Sequence, residues 1–281
     1  FLYFFDNIDV SVGNSGIIST NASVSTSNSI EGQYILGYGR PLGQVANGPI
    51  KTTFNASYIP EISKDPIFGA VNTIRNLINE NNYFGQKIEF AGLYNSNFYM
   101  DSYSLKIAPN NLVESSVSYS TYWDLCGAIR QKSNLIDYYN GGDLAHSWVT
   151  SILDSNDRLI NPIYEFSYDF RANWQPIYTI GKQQPIEVKL LGIAESISFT
   201  IDNARNVLFT GELLYPNILS GNNGNLTFNN ISLICNDGCD TIGETSNSLT
   251  LNISGFKIKT VNTSTNINEM VRTNYIATRF K

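Results

Sequence analysis

The sequence predicts a mostly β fold, arranged as two tandem β-sandwich or half-barrel domains that each carry a flanking α-helix. Charged residues make up only 15% of the 281 residues, well below the roughly 25% of an ordinary soluble domain. Asn, Ser, Thr and Gly must therefore cover much of the surface, and these residues favour turns and strands over long helices. Short segments of alternating apolar residues, bounded by Gly, Pro and Asn, indicate strands in both halves.

An internal repeat predicts the two-domain arrangement. Residues 23–48 align with residues 167–192 at a constant offset of 144, without gaps. Self-similarity of this kind indicates that one structural unit occurs twice. The identical pairs are Ser23 with Ser167, Tyr34 with Tyr178, Gly37 with Gly181, Pro41 with Pro185, and Gly48 with Gly192.

Residues 1–123 are predicted to form the first domain. A strand carrying Ile30, Tyr34 and Leu36 leads through a loop to a second strand over residues 50–58. Ser63 or Asp65 can then cap a helix with Pro66 in its first turn. The helix carries apolar residues at helical spacing, and further strands are expected over residues 87–91, 97–107 and 113–123; the apolar helix positions are Ile67, Val71, Ile74, Leu77 and Ile78.

Residues 161–281 are predicted to repeat this order as the second domain. Trp174, Tyr178 and Ile180 mark its first strand, and residues 194–201 its second. A less clear helix is expected around residues 203–214, followed by strands near residues 225–235, 248–259 and 270–280. Between the domains, residues 124–160 are interpreted as a linker with a short helix over residues 143–153, since Leu144, Trp148 and Ile152 have helical spacing.

Composition argues against several functional classes. The net charge is −6 and no cluster of Lys and Arg stands out, which disfavours tight binding to nucleic acid. A channel through which DNA slides without sticking remains compatible with this charge. No apolar run approaches the roughly 20 residues that span a bilayer, so no membrane association is predicted.

The residue types that carry most enzyme chemistry are scarce. His146 is the single histidine, which leaves few general-base arrangements and excludes sites with several histidines. Cys235 and Cys239 flank a plain turn sequence, and an odd total of three cysteines, with Cys126, disfavours a disulfide framework. We therefore predict no enzymatic activity, no catalytic residue, no metal and no cofactor.

Several short motifs resemble the tail-tube-related virion proteins of tailed phages. In the first half they are Ala22-Ser23-Val24-Ser25, Gly37-Tyr38-Gly39-Arg40-Pro41, Gly48-Pro49 and Tyr99-Met100-Asp101-Ser102-Tyr103-Ser104-Leu105. In the second half, Tyr178-Thr179-Ile180-Gly181 and Pro185 resemble another copy. The resemblance implies a β-sandwich or half-barrel with one flanking helix, assembled into hexameric rings whose inner sheets line a channel.

The resemblance implies a structural role in the virion tail, after assembly in the host cytoplasm. Because a plain tube subunit has one copy of the domain, a duplicated chain could form a trimer with pseudo-sixfold symmetry, as a hub or tube-end adaptor requires. Implied partners are the other subunits of a trimeric or hexameric ring and neighbouring tail proteins, with DNA as a transient, non-specific cargo. A carbohydrate-binding β-sandwich of an adhesin or fibre is the alternative, since exposed Tyr and Trp could stack on sugars.

Two Gly-bounded loops, residues 37–48 and 181–192, are the predicted assembly contacts. In the resembled family the corresponding loop reaches the neighbouring ring, and apolar side chains exposed on a loop are usually covered by a partner. The alternative is that these side chains fold back on their own domain. The predicted contact residues are Pro41, Leu42 and Val45 in the first loop and Pro185, Ile186, Val188 and Leu190 in the second.

Overall fold

The computed structural model describes residues 10–13, 15–17, 19–28, 30–33, 43–46, 49–60, 66–77, 85–129, 150–153, 163–202, 227–228, 231–235, 251–253, 256–264 and 272–280. All contacts given below are between these residues.

The protein is mostly β, as the sequence predicts, and a large antiparallel sheet dominates it. One helix, α1 (Pro66–Leu77), is present among the described residues. The strands are β1 (Val10–Val12), β2 (Ser15–Gly16), β3 (Ser19–Ser27), β4 (Ile30–Gln33), β5 (Gly43–Ala46), β6 (Lys51–Tyr58), β7 (Gln86–Phe90), β8 (Leu93–Ile107), β9 (Glu114–Thr121), β10 (Cys126–Gly127), β11 (Thr150–Leu153), β12 (Ile163–Ile177), β13 (Glu187–Asp202), β14 (Thr227–Phe228), β15 (Ile231–Cys235), β16 (Leu251–Ile253), β17 (Phe256–Ser264) and β18 (Arg272–Phe280).

Helix α1 confirms the helix predicted for the first half. Pro66 is its first residue, where the missing N–H costs no hydrogen bond and the fixed φ suits a helix. Ile67, Val71 and Ile74 are completely buried, because their spacing places them on one side of the helix. Phe68 of the same helix lies 6.0 Å, centroid to centroid, from the ring of Tyr103 on β8, so α1 packs on one face of the sheet.

Eight strands of the large sheet lie side by side in the order β3-β6-β9-β8-β12-β13-β18-β17, and each pair of neighbours is antiparallel. The first four of these strands come from the first half of the chain and the last four from the second half. If the strands of each set are numbered one to four along the chain, their order across the sheet is one, two, four, three. This holds for β3-β6-β9-β8 and for β12-β13-β18-β17. The same strand order therefore occurs twice in one sheet.

The irregularities of the sheet recur as well. The ladder between β3 and β6 shifts register at Thr20, and the ladder between β12 and β13 shifts register at Tyr164. Thr20 and Tyr164 are separated by the same offset of 144 residues as the repeated Ser23 and Ser167. The ladder between β8 and β9 shifts at Asp101, and that between β17 and β18 shifts at Lys259. Bulges are specific features of a fold. The two-copy interpretation stays a prediction, and this recurrence supports it.

The two halves are joined by direct pairing between strands. β8 and β12 are antiparallel neighbours from the pair of Ile107 with Phe166 to the pair of Ser102 with Arg171. The predicted linker over residues 124–160 therefore connects two halves of a continuous sheet.

The sheet folds over itself in the first half. The start of β8 pairs with β7, and β7 pairs with β1, whereas the rest of β8 pairs with β9 and β12. Phe90 of β7 thereby comes within 6.2 Å of Phe54 on β6, measured between ring centroids. The hydroxyl of Tyr119 on β9 donates a hydrogen bond of 2.7 Å to Gln86 Oε1 of β7. These contacts close the core of the first half.

Several predicted boundaries are wrong. The strand predicted to include Tyr178 and Ile180 ends at Ile177, because the chain then turns through a hydrogen bond from Lys182 N to Thr179 O and through Gly181, whose φ is +85°. The predicted loop over residues 181–192 is strand from Glu187 onward. The second boundary shifts because the pairing of β13 with β12 extends further than the alternation pattern indicates.

Corrections of the same kind apply to the first half and to the linker. Residues 43–46 of the predicted loop form β5, which pairs with β4, and residues 150–153 of the predicted linker helix form β11, which pairs with β15. Tyr34, His146 and the helix predicted around residues 203–214 lie outside the described residues.

Candidate functional site

The eight-stranded sheet has one covered face and one open face. On the covered face, Phe54, Tyr103 and Tyr168 are at most 1% exposed, and α1 packs against this side. Alternate residues of the same strands point to the other face, since side chains alternate along a strand. Described residues of both halves form that open face.

Polar side chains form two continuous rows across the open face, perpendicular to the strands. None of the residues in these rows is buried. We call the two rows the polar face. Its first row is Asn21, Ser57, Ser116, Ser104, Asp169, Ser196 and Thr278, and its second is Ser23, Asn55, Ser118, Ser102, Arg171, Ala194 and Phe280.

The composition of the polar face is mainly hydroxyl and amide groups. Ten of its fourteen residues are Ser, Thr or Asn, and the other four are Asp169, Arg171, Ala194 and Phe280. Over the seven strands from β3 to β18, one acidic and one basic residue leave the two rows without net charge. On the eighth strand, β17, Lys257 pairs with Thr278 at the end of the first row.

Several polar side chains of the open face form hydrogen bonds with one another. Ser104 Oγ and Ser116 Oγ lie 2.8 Å apart across β8 and β9. Asn274 Nδ2 of β18 donates to Ser198 Oγ at 3.2 Å and to Thr200 Oγ1 at 3.1 Å on β13. Such a surface can form weak, exchangeable hydrogen bonds, but it lacks the concentrated positive charge that holds a polyanion.

Asp169 illustrates how charge is moderated on this face. Partial desolvation by the surrounding sheet raises the pKa of its carboxyl group, against the opposing effects of Arg171 and of a hydrogen bond from Ser196. Asp169 and Arg171 lie two residues apart on β12 and so share the open face. Their charges balance locally.

A long hairpin extends beyond the sheet at one end. The pairing of β12 with β8 ends at Arg171, and the pairing of β13 with β18 ends at Ala194. Beyond these points, residues 173–177 and 187–192 pair with each other. We call residues 172–193 the hairpin arm.

Trp174 anchors the hairpin arm to the first half of the chain. Its indole N–H donates a hydrogen bond of 2.7 Å to the carbonyl oxygen of Met100 on β8, and its ring lies 5.1 Å from that of Tyr99. Near the tip, Gln184 Nε2 donates to Asp124 Oδ2 at 3.2 Å. The arm is therefore held to the first half both at its base and near its tip.

The structure divides the predicted contact residues of the arm into two groups. Ile186 is 53% exposed, as predicted. Pro185 and Val188 are buried within the chain and Leu190 is half-buried against the core, so the expectation that these three residues are exposed is wrong. They follow the alternative that the side chains fold back on their own domain.

Two further apolar residues of the arm are exposed. Ile180 at the tip is fully exposed and Leu191 is 58% exposed. Leu191 is the extra residue where the ladder shifts register between Asn173 and Trp174, and a bulge of this kind redirects a side chain. Ile180 was predicted to lie within a strand, and no sequence signal marked the bulge.

The first predicted contact loop is described in part. Pro41 and Leu42 lie outside the described residues, and Val45 lies on β5. Contact by this loop stays a prediction.

A buried ionic cluster lies on the covered face, where α1 meets the second half of the sheet. The carboxylate of Glu195 on β13, with a side chain 1% exposed, is 2.7 Å from Arg75 Nη2 of α1 and 2.5 Å from Arg279 Nη2 of β18. The hydroxyl of Tyr168 donates to Glu195 Oε1 at 2.7 Å and accepts from Arg75 Nη2 at 2.8 Å. The cluster thus connects one helix and three strands.

The two arginines keep Glu195 ionised. Burial alone raises the pKa of the carboxyl group, but the attraction of Arg75, the hydrogen bond from Tyr168 and the attraction of Arg279 outweigh it, so the pKa lies below its ordinary value. Sequence analysis missed this cluster. The signal was an acidic residue at an inward position of β13, between the buried Ile193 and Ile197.

No group of His, Cys, Asp and Glu residues suited to a metal ion occurs among the described residues. In the same part of the chain, no helix is long and apolar enough to cross a membrane. Cys126 is an exposed free thiol, whereas Cys239 lies outside the described residues.

No protein-family model matches the chain, and the search of curated proteins returned no match.

Proposed function

We propose that the protein is a non-enzymatic structural subunit of a tailed-phage virion, which assembles into a homo-oligomeric ring of the tail tube or of a tube-end or hub adaptor. The polar face carries this proposal. It continues across strands of both halves, its rows have no net charge, and ten of its fourteen residues are Ser, Thr or Asn.

A channel for DNA needs a wall to which DNA does not adhere. Contacts of Lys and Arg with phosphates supply most non-specific affinity for DNA. A wall of hydroxyl and amide groups with balanced charges offers few such contacts. In the proposed ring, the polar face lines the channel and DNA passes as a transient cargo.

The recurring strand order supports a ring with pseudo-symmetry. If each chain contributes two similar units, three chains present six units around the axis, and six chains present twelve. The proposed partners are other copies of the chain and neighbouring tail proteins. The proposed location is the virion tail, after assembly in the host cytoplasm.

The alternative of a carbohydrate-binding adhesin has less support. Stacking on sugars requires exposed aromatic rings, whereas Tyr99 and Trp174 are 6% and 7% exposed. Among the described residues, the exposed aromatic side chains are Tyr94, at 39%, and Phe280, at 75%. Phe280 is the one aromatic residue in the two rows of the polar face.

The oligomeric state tests the proposal. We expect the purified protein to form rings with a central channel, visible in negative-stain images, with a mass of three or six chains by light scattering. A chain that stays monomeric at the highest soluble concentration and is absent from virions would contradict the proposal and favour the adhesin.

The hairpin arm provides a second test, because it extends along the strand direction and thus away from the lateral edges of the sheet. We expect Ile186→Ser to leave the fold and the rings intact but to abolish stacking of one ring on another, since an exposed apolar residue of the arm would no longer be covered there. Stack length in negative-stain images measures the effect.

Ile129→Ser is the matched control for this test. Ile129 is 57% exposed, close to the 53% of Ile186, and it lies outside the arm. Its replacement should leave stacking unchanged. Equal stacking by the wild type and Ile186→Ser would show that Ile186 does not take part in a contact between rings.

A further inference from the structure

The eight-stranded sheet ends in two edge strands that run in opposite directions. β3 pairs with β6 alone among the described residues, and β17 pairs with β18 along its length but with β14 at Phe256 and Lys257 alone. Because eight antiparallel strands alternate in direction, β17 of one copy would lie antiparallel to β3 of the next.

The two segments that would pair, β3 and residues 260–264 of β17, lack charged side chains and prolines. Proteins block an exposed edge with charged side chains, prolines or short strands. β3 has nine residues without charge or proline, and residues 260–264 of β17 are also uncharged. Lys257 and Lys259 lie in the first part of β17, outside the segment that would pair. On β17, Asn262 and Ser264 are exposed, as is Ser25 on β3.

The junction between the halves provides a template for this pairing. Within the chain, the third strand of the first set of four, β8, pairs with the first strand of the second set, β12. The positions of the bulges indicate which strands of the two sets correspond. Tyr164 and Thr20 align β12 with β3, and Lys259 and Asp101 align β17 with β8.

The short neighbouring strands agree with the second of these relations. β7 begins its pairing with β8 at Phe98, and β14 ends its pairing with β17 at Phe256. Phe98 and Phe256 are separated by the same offset as Asp101 and Lys259. The pairs Asp101 with Lys259 and Phe98 with Phe256 thus give the same alignment of β8 with β17.

Transferring the internal register gives specific partners between copies. The pair of Ser104 with Asp169 on β8 and β12 corresponds to Asn262 and Ser25. The neighbouring pairs on the same face correspond to Ser264 with Ser23 and to Thr260 with Ser27.

We propose that β17 of one copy pairs with β3 of the next copy, with Asn262 opposite Ser25. This inference rests on the homo-oligomeric assembly in the proposed function and names its lateral contact. Ser25 is paired with Thr53 and Asn262 with Asn274 within the chain. The open face therefore continues from one copy to the next.

Disulfide formation tests the register. In a background with the three native cysteines replaced by alanine, Ser25→Cys and Asn262→Cys are combined in one chain and oxidised after circular dichroism has confirmed folding. Directly opposed residues lie about 4.5 to 5.5 Å apart between Cα atoms, within the range that a disulfide can span.

A bond within one chain is excluded by distance. The two positions lie on opposite edges, and seven steps of about 4.8 Å place them about 34 Å apart along the sheet. We therefore expect a ladder of covalent dimers and higher oligomers on a non-reducing gel. The control combines Ser23→Cys with Thr260→Cys. In the proposed register Thr260 lies opposite Ser27 and not opposite Ser23, so the two cysteines are too far apart to bond. The control should therefore give no ladder.

The outcomes separate this inference from the proposed function. Rings by light scattering, together with a ladder for the predicted pair and none for the control, support the register. Rings in which the predicted pair does not cross-link, or in which the control cross-links equally, overturn the register and leave the ring intact. A chain that is monomeric under all conditions contradicts the proposed function and the register together.

Discussion

Replacement of Glu195 by alanine is expected to lower the free energy of unfolding by about 3 to 5 kcal/mol, the usual cost of removing one partner from a buried ion pair. The change leaves Arg75 and Arg279 without their carboxylate, and these side chains are 10% and 11% exposed. Tyr168 loses the acceptor of its hydroxyl hydrogen bond. Urea denaturation followed by circular dichroism measures the loss.

Glu187→Ala is the control on the same strand. Its carboxylate is 3.7 Å from Lys189 Nζ, and both side chains are about half exposed. A surface pair of this kind contributes about 0 to 1 kcal/mol. A similar loss of stability in the two variants would show that the buried cluster has no special role.

The pH dependence provides a second readout for Glu195. Because the pKa of Glu195 is lowered in the folded protein, its stabilisation is fully present above the unfolded pKa of about 4.3 and is lost as the pH falls through the lower folded pKa. The difference in stability between the wild type and Glu195→Gln should therefore decrease below about pH 4. A difference that stays constant down to low pH would contradict the assignment.

Trp174→Ala is expected to destabilise the protein by about 3 to 5 kcal/mol, as for other large buried aromatic residues. The indole is 7% exposed, contacts Tyr99 and donates to Met100 O. Its loss would release the base of the hairpin arm from β8. Urea denaturation measures the global effect, and amide hydrogen exchange of residues 173–177 measures the release of the arm.

Two variants control for this change. Trp174→Phe keeps an aromatic ring but removes the N–H donor, and it should cost about 1 to 3 kcal/mol, because the Met100 carbonyl loses its partner. Phe280→Ala removes a ring that is 75% exposed and should change stability by less than about 0.5 kcal/mol. If Trp174→Ala behaves like Phe280→Ala, Trp174 does not anchor the arm.

Local patterns in the sequence were sufficient for the fold class and for several elements. Pro66 followed by Ile67, Val71 and Ile74 specified α1, because helix spacing and the tolerance for proline are properties of neighbouring residues. Alternation likewise placed β6 and the greater part of β8. These features depend on residues that are close together in the sequence.

The candidate sites were less predictable. The sequence indicated that residues 181–192 contain exposed apolar side chains, and Ile186 and Leu191 are exposed, but Pro185 and Val188 are buried. Ile180, outside that range, is exposed as well. The position of the turn and of the bulge decides which side chains face water. Both depend on the pairing of β12 with β13, which local propensity does not determine.

The sequence by itself determined a mostly β chain with one clear helix in its first half and a surface of Ser, Thr and Asn. Only the tertiary structure decided that β8 pairs with β12, that the polar residues of both halves align in continuous rows, and that Glu195 meets Arg75 and Arg279. The physical reason is sequence separation. Alternation fixes which residues of a strand share a face, whereas strand neighbours and a partner 120 residues away are selected by the packing of the whole sheet.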